Sequence, residues 1–190
     1  MCLKWIQIFK EYRYSINMDS RISWDTMFME ICKIISKRST CVKIQTAAVI
    51  VNEDNNIISI GYNGVPSNMI HCTDYWNTIA TFEQVSLDDL LKNESFRTRH
   101  YEWSQQNELH AEMNALIHCH SHPKKCKLYT LYSPCIHCSK YIISSSMIKE
   151  VIYMYPYTRD LNTSILLLES NDIKINPYNE TIFSNKTISL

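Results

Sequence analysis

The stretch that decides the fold is HAE at residues 110–112, together with PCIHC at residues 134–138 further along the chain. His110, Cys135 and Cys138 offer one nitrogen and two sulfur ligands, a set that suits tetrahedral zinc and leaves one coordination position open. An open position is typical of a catalytic zinc, because the metal lowers the pKa of a bound water to about 7. Glu112 lies two residues after the histidine and is the candidate for moving protons beside the metal. The two motifs together predict a catalytic zinc site.

Each motif alone has an ordinary explanation. H-x-E is common in helices, and C-x-x-C also occurs in structural zinc sites and in redox pairs. Both motifs are present in this order, and Ser133-Pro134 introduces the second. The combination favours the catalytic interpretation over either structural one.

Composition and charge restrict the class of protein. A chain of 190 residues with 45% hydrophobic residues fits one domain with a full core. Nineteen basic and nineteen acidic residues give a formal charge of zero, which argues against a nucleic-acid partner. No apolar run reaches the ~20 residues of a membrane span. Eight cysteines without a secretory signal indicate a reducing compartment, the cytoplasm, or the host cytoplasm if the source is viral.

The hydrophobic pattern predicts alternating helices and strands. Ser23 is a suitable N-cap for an amphipathic first helix. The order α-β-β-α-β-α-β-α-β indicates a mixed sheet between helical layers. The predicted helices cover 24–37, 107–118, 136–146 and 160–169. The predicted strands cover 47–51, 57–60, 127–132, 150–155 and 173–175.

Two segments break this pattern. Gly61 and Gly64 are the only glycines of the chain, and their position after a strand predicts unusual backbone angles or close approach of a ligand. The 67–106 segment is polar, aromatic and charged without a long period, and only 87–96 is predicted as a short helix. It is interpreted as an insertion with little core of its own.

Several motifs carry a family resemblance. They are RSTC at 38–41, AVIV at 48–51, ISIGYNGVP at 58–66, HAEMNA at 110–115 and SPCIHC at 133–138. H-x-E with P-C-x-x-C is the signature of the zinc nucleobase deaminases. From about residue 24 to 176 the chain resembles the cytidine deaminase superfamily, and within it the deoxycytidylate (dCMP) deaminases of phages and viruses.

The resemblance implies a fold and a domain plan. The expected fold is a three-layer α/β/α cytidine deaminase fold, with a central mixed five-stranded sheet flanked by helices. The deaminase domain is expected over 23–178, with 67–106 as an insertion that is expected to be held together by a zinc ion. Residues 1–22 are expected to be an N-terminal extension, within which Met18 is an alternative start, and 179–190 a C-terminal tail.

The resemblance also implies a reaction, zinc-dependent hydrolysis of dCMP to dUMP and ammonia, which supplies dUMP for thymidylate synthesis. Glu112 is implied as the proton shuttle, and His110, Cys135 and Cys138 as the zinc ligands. Activation by dCTP, inhibition by dTTP, Mg²⁺ with the effector nucleotide and a homohexamer are expected in the same way. The implied substrate contacts are Asn63 for the sugar and Ala48 and Ser133 for the base, with Arg38, Ser39 and Lys43 suggested for the 5′-phosphate.

A second metal site is implied as well. Cys41, Cys72, His100 and Glu108 match positions that hold a structural zinc in some phage dCMP deaminases, and His71 is a nearby substitute ligand. The alternative is that Cys41 is merely buried and His100 solvated. A metal clip would favour folding of the insertion, because metal binding contributes directly to stability.

Other functions stay open at this point. Deamination of a different cytosine substrate, such as dCTP or cytidine, needs the same motifs. Deamination of a base in tRNA or another nucleic acid needs them too, although the neutral charge of the chain disfavours a nucleic-acid substrate. The non-enzymatic alternative is a zinc-stabilised module that senses nucleotides. Glu112 argues against that module, because binding alone needs no proton shuttle.

Thr46-Ala47 stands where the family usually has Val-Gly, so altered walls of the base pocket are expected.

Overall fold

The computed structural model describes residues 21–159 and 161–179. The extension predicted before residue 21, including Met18, and the tail after residue 179 lie outside the described residues. None of the helices within the described ranges combines the length and apolar character needed to cross a membrane.

A five-stranded mixed sheet forms the centre of the fold, in the order β2-β1-β3-β4-β5. Strand β1 pairs antiparallel with β2 and β3, whereas β3, β4 and β5 run parallel. The strands are β1 Ala47–Val51, β2 Ile57–Tyr62, β3 Cys126–Tyr132, β4 Ile148–Tyr155 and β5 Lys174–Pro177. The predicted mixed five-stranded sheet is confirmed.

The described residues also form seven helices. They are α1 Trp24–Ser36, α2 Cys72–Phe82, α3 Leu87–Lys92, α4 Phe96–Asn107, α5 Ala111–Ile117, α6 Ile136–Ser145 and α7 Leu161–Glu169. The N-cap prediction for α1 is confirmed, because the Ser23 hydroxyl accepts a hydrogen bond from the backbone N–H of Thr26 at 3.1 Å.

The two faces of the sheet bury different helices. Every residue of β1 is buried, and successive side chains of a strand point to opposite faces. Val49 and Val51 pack with Phe28 and Met29 of α1 in one core cluster. The opposite face has its own cluster, which joins Ala48 and Ile50 to residues of α5, α6 and α7. The expected three-layer α/β/α arrangement is therefore present.

The insertion contains more structure than its sequence pattern indicated. Three helices, α2, α3 and α4, occupy the stretch that was predicted to hold one short helix over 87–96. Trp76, Leu90 and Phe96 are almost fully buried and form a third core cluster with Cys41 and Cys72. The expectation of little core was wrong, because the three helices bury aromatic, cysteine and aliphatic side chains against one another.

The helix predicted over 107–118 is in fact interrupted. Helix α4 ends at Asn107 and α5 begins at Ala111. Between them the backbone is extended, and Leu109 and Gly64 form a β-bridge with N–H to O distances of 3.1 and 2.8 Å. His110 consequently caps α5 instead of lying inside a helix.

Gly61 is required by helix packing. A Cβ at Gly61 would lie closer than 3.0 Å to backbone atoms of Ala111 and Ala115 in α5. Neither Gly61 nor Gly64 has a positive φ, so the prediction of unusual backbone angles was wrong. A ligand was expected to approach the backbone closely at this loop. At Gly61 the close approach is made by the backbone of α5.

This packing predicts that Gly61→Ala destabilises the protein by roughly 1–3 kcal/mol, the usual cost of overpacking a rigid interior. Gly64→Ala is the matched control, because no atom lies within 4 Å of an added Cβ there, and it should change the free energy of unfolding by less than about 1 kcal/mol. Chemical denaturation of both variants measures the difference. Equal stability of the two variants would contradict the packing argument.

Candidate active site

The first metal-binding cluster forms where two helices begin. His110 is the N-cap of α5, and Cys135 is the N-cap of α6 with Cys138 in its first turn. The His110 Nδ1 atom lies 3.4 Å from Cys135 Sγ and 3.3 Å from Cys138 Sγ, and the three ligand atoms lie within 4.8 Å of one another. Tetrahedral zinc with ordinary Zn–S and Zn–N bonds places such atoms about 3.5 Å apart. The three residues therefore fit zinc.

Hydrogen bonds polarise this cluster. The side-chain contact with Cys138 lowers the Cys135 pKa to about 3, against the opposing effect of burial, and His110 lowers it further. The same contact with Cys135 raises the pKa of His110 to about 9, although burial opposes it. The hydrogen bond to Cys135 and burial both raise the pKa of Cys138. The free N–H groups at the start of α6 also favour negative sulfur.

Glu112 is buried beside the cluster. Its side chain is 6% exposed, it lies in the first turn of α5, and its Oε2 atom accepts a hydrogen bond from Cys138 Sγ at 3.4 Å. Burial is the main cause that raises the pKa of this carboxyl group. A carboxyl group with a raised pKa exchanges protons more readily near neutral pH. Its position and chemistry suit the predicted proton shuttle.

A cavity of about 770 Å³, its open mouth included, contains the cluster and Glu112. Its lining residues come from the loop before β1, the loop after β2, α4 and the segments after β3 and β4. They are Cys41, Lys43, Ile44, Thr46, Asn63, His100, Tyr101, Ser104, Gln105, Glu108, His110, Glu112, Tyr132, Ser133, Cys135 and Tyr157.

Asn63 and Ser133 line the cavity and also hold its walls together. The Asn63 side chain accepts a hydrogen bond from Thr46 N at 2.9 Å and donates one to Ile44 O at 2.8 Å. The Ser133 hydroxyl accepts a hydrogen bond from Tyr157 N at 2.7 Å. Thr46, at which an altered wall was expected, is part of the wall.

The other predicted substrate contacts are distributed differently. Lys43 lines the cavity, whereas Arg38, Ser39 and Ala48 are absent from its lining among the described residues. Arg38 is exposed, and the buried Ser39 hydroxyl accepts a hydrogen bond from Cys41 N at 3.2 Å. Ala48 is fully buried in β1.

Sequence reasoning missed the residues that α4 contributes to the cavity. Tyr101, Ser104 and Gln105 belong to a segment that was read as insertion, and Tyr157 follows β4. Strands β3 and β4 are parallel, and ligands bind outside the carboxyl ends of parallel strands. That rule was the available signal for Tyr157, because Cys135 follows β3 at the same edge.

A second cluster of buried ligands borders the same cavity. The His100 Nε2 atom lies 3.5 Å from the sulfur of Cys41 and 3.5 Å from that of Cys72, and all three side chains are buried. A hydrogen bond from Cys72 is the main cause that lowers the pKa of Cys41 to about 4, and the same contact raises the pKa of Cys72. These separations also match tetrahedral zinc.

Glu108 lies next to the second cluster. Its Oε2 atom accepts a hydrogen bond from the Ser104 hydroxyl at 2.6 Å, and its buried Oε1 atom has no hydrogen-bond partner among the described residues. Burial and the neighbouring Cys41 raise the pKa of the carboxyl group. His71, the predicted substitute ligand, is exposed and lies outside the group of three.

The family model for the cytidine and deoxycytidylate deaminase zinc-binding region matches residues 22–155 of the chain. The chain belongs to this family. Deaminases of this family bind zinc through the region that contains both motifs, so the family recognised from the sequence is confirmed.

Curated relatives and solved structures agree with this membership. The deoxycytidylate deaminase of Enterobacteria phage T4 is 30% identical over 152 residues, which cover 70% of this chain and 78% of the relative. The human deoxycytidylate deaminase is 32% identical over 137 residues, which cover 72% and 67%. A crystal structure of the dCMP deaminase from cyanophage S-TIM5, in complex with dCMP and dUMP, superposes with a TM-score of 0.58 at 23% identity and covers 80% of this chain and 95% of that one. That structure confirms the fold.

Proposed function

We propose that the protein catalyses the zinc-dependent hydrolytic deamination of dCMP to dUMP and ammonia. The observation that carries the proposal is the buried Glu112 carboxyl group beside the His110, Cys135 and Cys138 cluster, inside one open cavity. The phage and human relatives named deoxycytidylate deaminase support dCMP as the substrate.

The seven described cysteines are free of disulfides, which supports the reducing cytoplasm as the location.

Glu112 carries the proton transfers. His110, Cys135 and Cys138 would hold a zinc ion, which would lower the pKa of a water molecule beside Glu112. The Glu112 carboxylate accepts a proton from this water and delivers it to N3 of the cytosine ring while C4 is attacked. It then takes the proton of the new C4 hydroxyl group and transfers it to the amino group, so that the C4–N bond breaks, ammonia leaves and the C4 carbonyl of uracil forms. Burial keeps the carboxyl group close to the base and away from bulk water.

The substrate proposal is tested by comparing turnover of dCMP, dCTP, cytidine and single-stranded DNA by the zinc-loaded protein. We expect dCMP to give the highest kcat/KM. Turnover of a polynucleotide without action on dCMP would overturn the proposal. Ammonia release that never exceeds the rate of a metal-free sample would instead support a binding module without catalysis.

We also propose that Cys41, Cys72, His100 and Glu108 hold a second, structural zinc. The 3.5 Å separations of His100 from both cysteines support three of the ligands. The unpartnered Oε1 atom of Glu108 supports the fourth, because a buried carboxylate oxygen without a partner is costly. Four protein ligands and no open position are typical of a structural site.

Regulation and assembly are proposed on the family resemblance. In this proposal dCTP activates and dTTP inhibits, each accompanied by Mg²⁺, in a homohexamer whose dUMP feeds thymidylate synthesis. Assays of dCMP turnover with each nucleotide, with and without Mg²⁺, test the effectors, and light scattering tests the assembly. Unchanged rates with both nucleotides would contradict the regulatory part alone.

A further inference from the structure

Helix α1 has an apolar flank that its packing on the sheet leaves uncovered. The buried face of the helix centres on Met29 and Cys32, which are fully buried. Beside that face, four apolar residues follow one another at three- and four-residue spacing and therefore share one side of the helix. They are Trp24, Met27, Ile31 and Ile34. Trp24 is 54% and Ile34 66% exposed, whereas the two residues between them are partly buried.

The apolar flank is directed towards β2. The Tyr178 hydroxyl donates a hydrogen bond to Thr26 Oγ1 at 3.0 Å, and Tyr178 N donates one to Tyr153 O of β4 at 2.6 Å. These bonds place Thr26 over the β4 and β5 side of the sheet. At 3.6 residues per turn, Thr26 and the apolar flank lie on opposite sides of the buried face of α1. The apolar flank therefore faces the other edge of the sheet, which is formed by β2.

Strand β2 supplies a second apolar wall. Ile57 pairs with Val51, and Ile60 pairs with Val49. Cross-strand partners point to the same face of a sheet, and both valines belong to the core cluster that contains α1. Ile57 and Ile60 therefore lie on the α1 face, where they are 42% and 47% exposed. Together with the apolar flank they line a groove, the α1–β2 groove, which is open among the described residues.

The chain itself contains a segment that suits this groove. Residues 1–20 lie outside the described residues, and they are joined to Arg21, three residues before α1 begins. Their sequence has Trp5, Phe9, Tyr12 and Ile16 at three- and four-residue spacing. This spacing is typical of an amphipathic helix with one apolar side. A contiguous exposed apolar surface marks an interaction site, and this segment begins beside it.

The length of the segment also fits the groove. A helix of residues 1–17 would be about 25 Å long, and α1, with 13 residues, is about 20 Å long. Residues 18–22 are enough for the connection between two antiparallel helices. The 180–190 tail is less suitable, because it follows Tyr178 on the opposite side of α1.

We propose that residues 1–17 fold back and dock in the α1–β2 groove of their own chain, with their apolar side against Trp24, Ile34 and Ile60. The segment then gives α1 apolar partners on both sides and covers the face of β2 that α1 leaves open. Burial of these apolar side chains drives the docking. The docking is independent of the proposed reaction, because none of the residues that line the groove also lines the catalytic cavity.

Hydrogen exchange of the 190-residue chain tests the docking. We expect the backbone amides of residues 4–16 to exchange at least about tenfold more slowly than in an unfolded peptide of the same sequence, because docking protects them. Ile34→Asp should accelerate this exchange about tenfold, since a charge is unfavourable against an apolar segment. The Ile34 side chain projects away from the described core, so the substitution leaves that core intact.

Leu166→Asp is the matched control. Leu166 is 67% exposed on α7, and α7 packs on the opposite face of the sheet. The control should leave the exchange of residues 4–16 unchanged. Unprotected amides in the wild-type segment would overturn the docking, and so would protection that Ile34→Asp leaves intact.

Thermal unfolding provides an independent check. Phe9→Asp changes the segment and Ile34→Asp changes the groove, so each should lower Tm by about 3 °C or more. The double variant should lose no more than the larger of the two single losses, because the same contact is broken in each. Additive losses of Tm would contradict the contact.

A second copy of the chain is the other occupant that these measurements detect. Docking within one chain does not depend on protein concentration, whereas docking on another copy weakens on dilution. Protection of residues 4–16 that disappears on dilution would therefore overturn docking within the chain. Free exchange of the wild-type segment, together with a molar mass that Ile34→Asp lowers in light scattering, would assign the groove to a second copy and overturn the proposal as well.

Discussion

Glu112→Gln is expected to lower kcat/KM for dCMP by about 10²–10⁴-fold, the usual contribution of a positioned general acid–base group. Glutamine has nearly the same shape as glutamate but neither accepts nor releases the proton that the reaction moves. The metal ligands His110, Cys135 and Cys138 are untouched, so zinc content should stay at the wild-type level. Measurement of ammonia or dUMP production, together with metal analysis of the same sample, checks both expectations.

Thermal stability separates a lost proton shuttle from a damaged fold. The Glu112 side chain is 6% exposed, and a buried carboxylate is costly to keep charged. The neutral amide is therefore not expected to lower Tm. Glu102→Gln makes the same chemical change at an exposed position of α4 and should leave activity unchanged. Ammonia release that survives in Glu112→Gln would contradict the proposed mechanism.

The catalytic cluster was predictable because its ligands are local in sequence. Cys135 and Cys138 are three residues apart, and α6 begins between them, so one helix start brings both sulfurs together. Only His110 comes from a distant part of the sequence, at the start of α5. The sheet was predictable for a related reason, because fully buried strands such as β1 read as continuous apolar runs.

The insertion was harder to predict because its core is formed by contacts between side chains of different short helices. Trp76 stacks on His100 at a ring-centroid distance of 5.9 Å, and Phe96 meets Trp76 edge-on at 4.9 Å. These contacts join residues of two different helices. Contacts between helices leave no pattern along either one, and α4 buries only Phe96 and His100. The four-residue spacing of Cys72, Trp76 and Ala80 was an available signal for α2.

The residues of the substrate cavity were predicted unevenly for the same physical reason. Lys43 and Asn63 lie close in sequence to recognisable motifs. Tyr101 and Tyr157 lie far apart in the sequence, and both line the cavity only because β3 pairs in parallel with β4 and α4 packs beside that edge of the sheet. The sequence marked Gly61 as unusual. Glycine is needed there because the backbone of α5 packs against it, and no local sequence pattern predicts that contact.

Cys72→Ser is expected to reduce the metal content from two zinc ions per chain to one and to lower the stability of the fold markedly. Cys72 begins α2, its sulfur lies 3.5 Å from His100 Nε2 on α4, and Cys41 reaches the same nitrogen from the segment before β1. A metal at this point joins three separate segments. Structural zinc contributes about 10 kcal/mol or more of binding free energy in small domains, so a loss of at least about 3 kcal/mol is expected here.

Cys119→Ser is the matched control for this substitution. Cys119 is also buried, but its thiol donates to Ser121 O at 2.8 Å and it belongs to neither group of metal ligands. It should keep two zinc ions per chain. Because the second cluster borders the cavity through Cys41 and His100, Cys72→Ser should also weaken substrate binding, whereas Cys119→Ser should not. Two results together would contradict the second site. The wild-type protein would contain one zinc ion per chain, and Cys72→Ser would have the same Tm as Cys119→Ser. The buried carboxyl group of Glu108 and its unpartnered oxygen would then need another explanation.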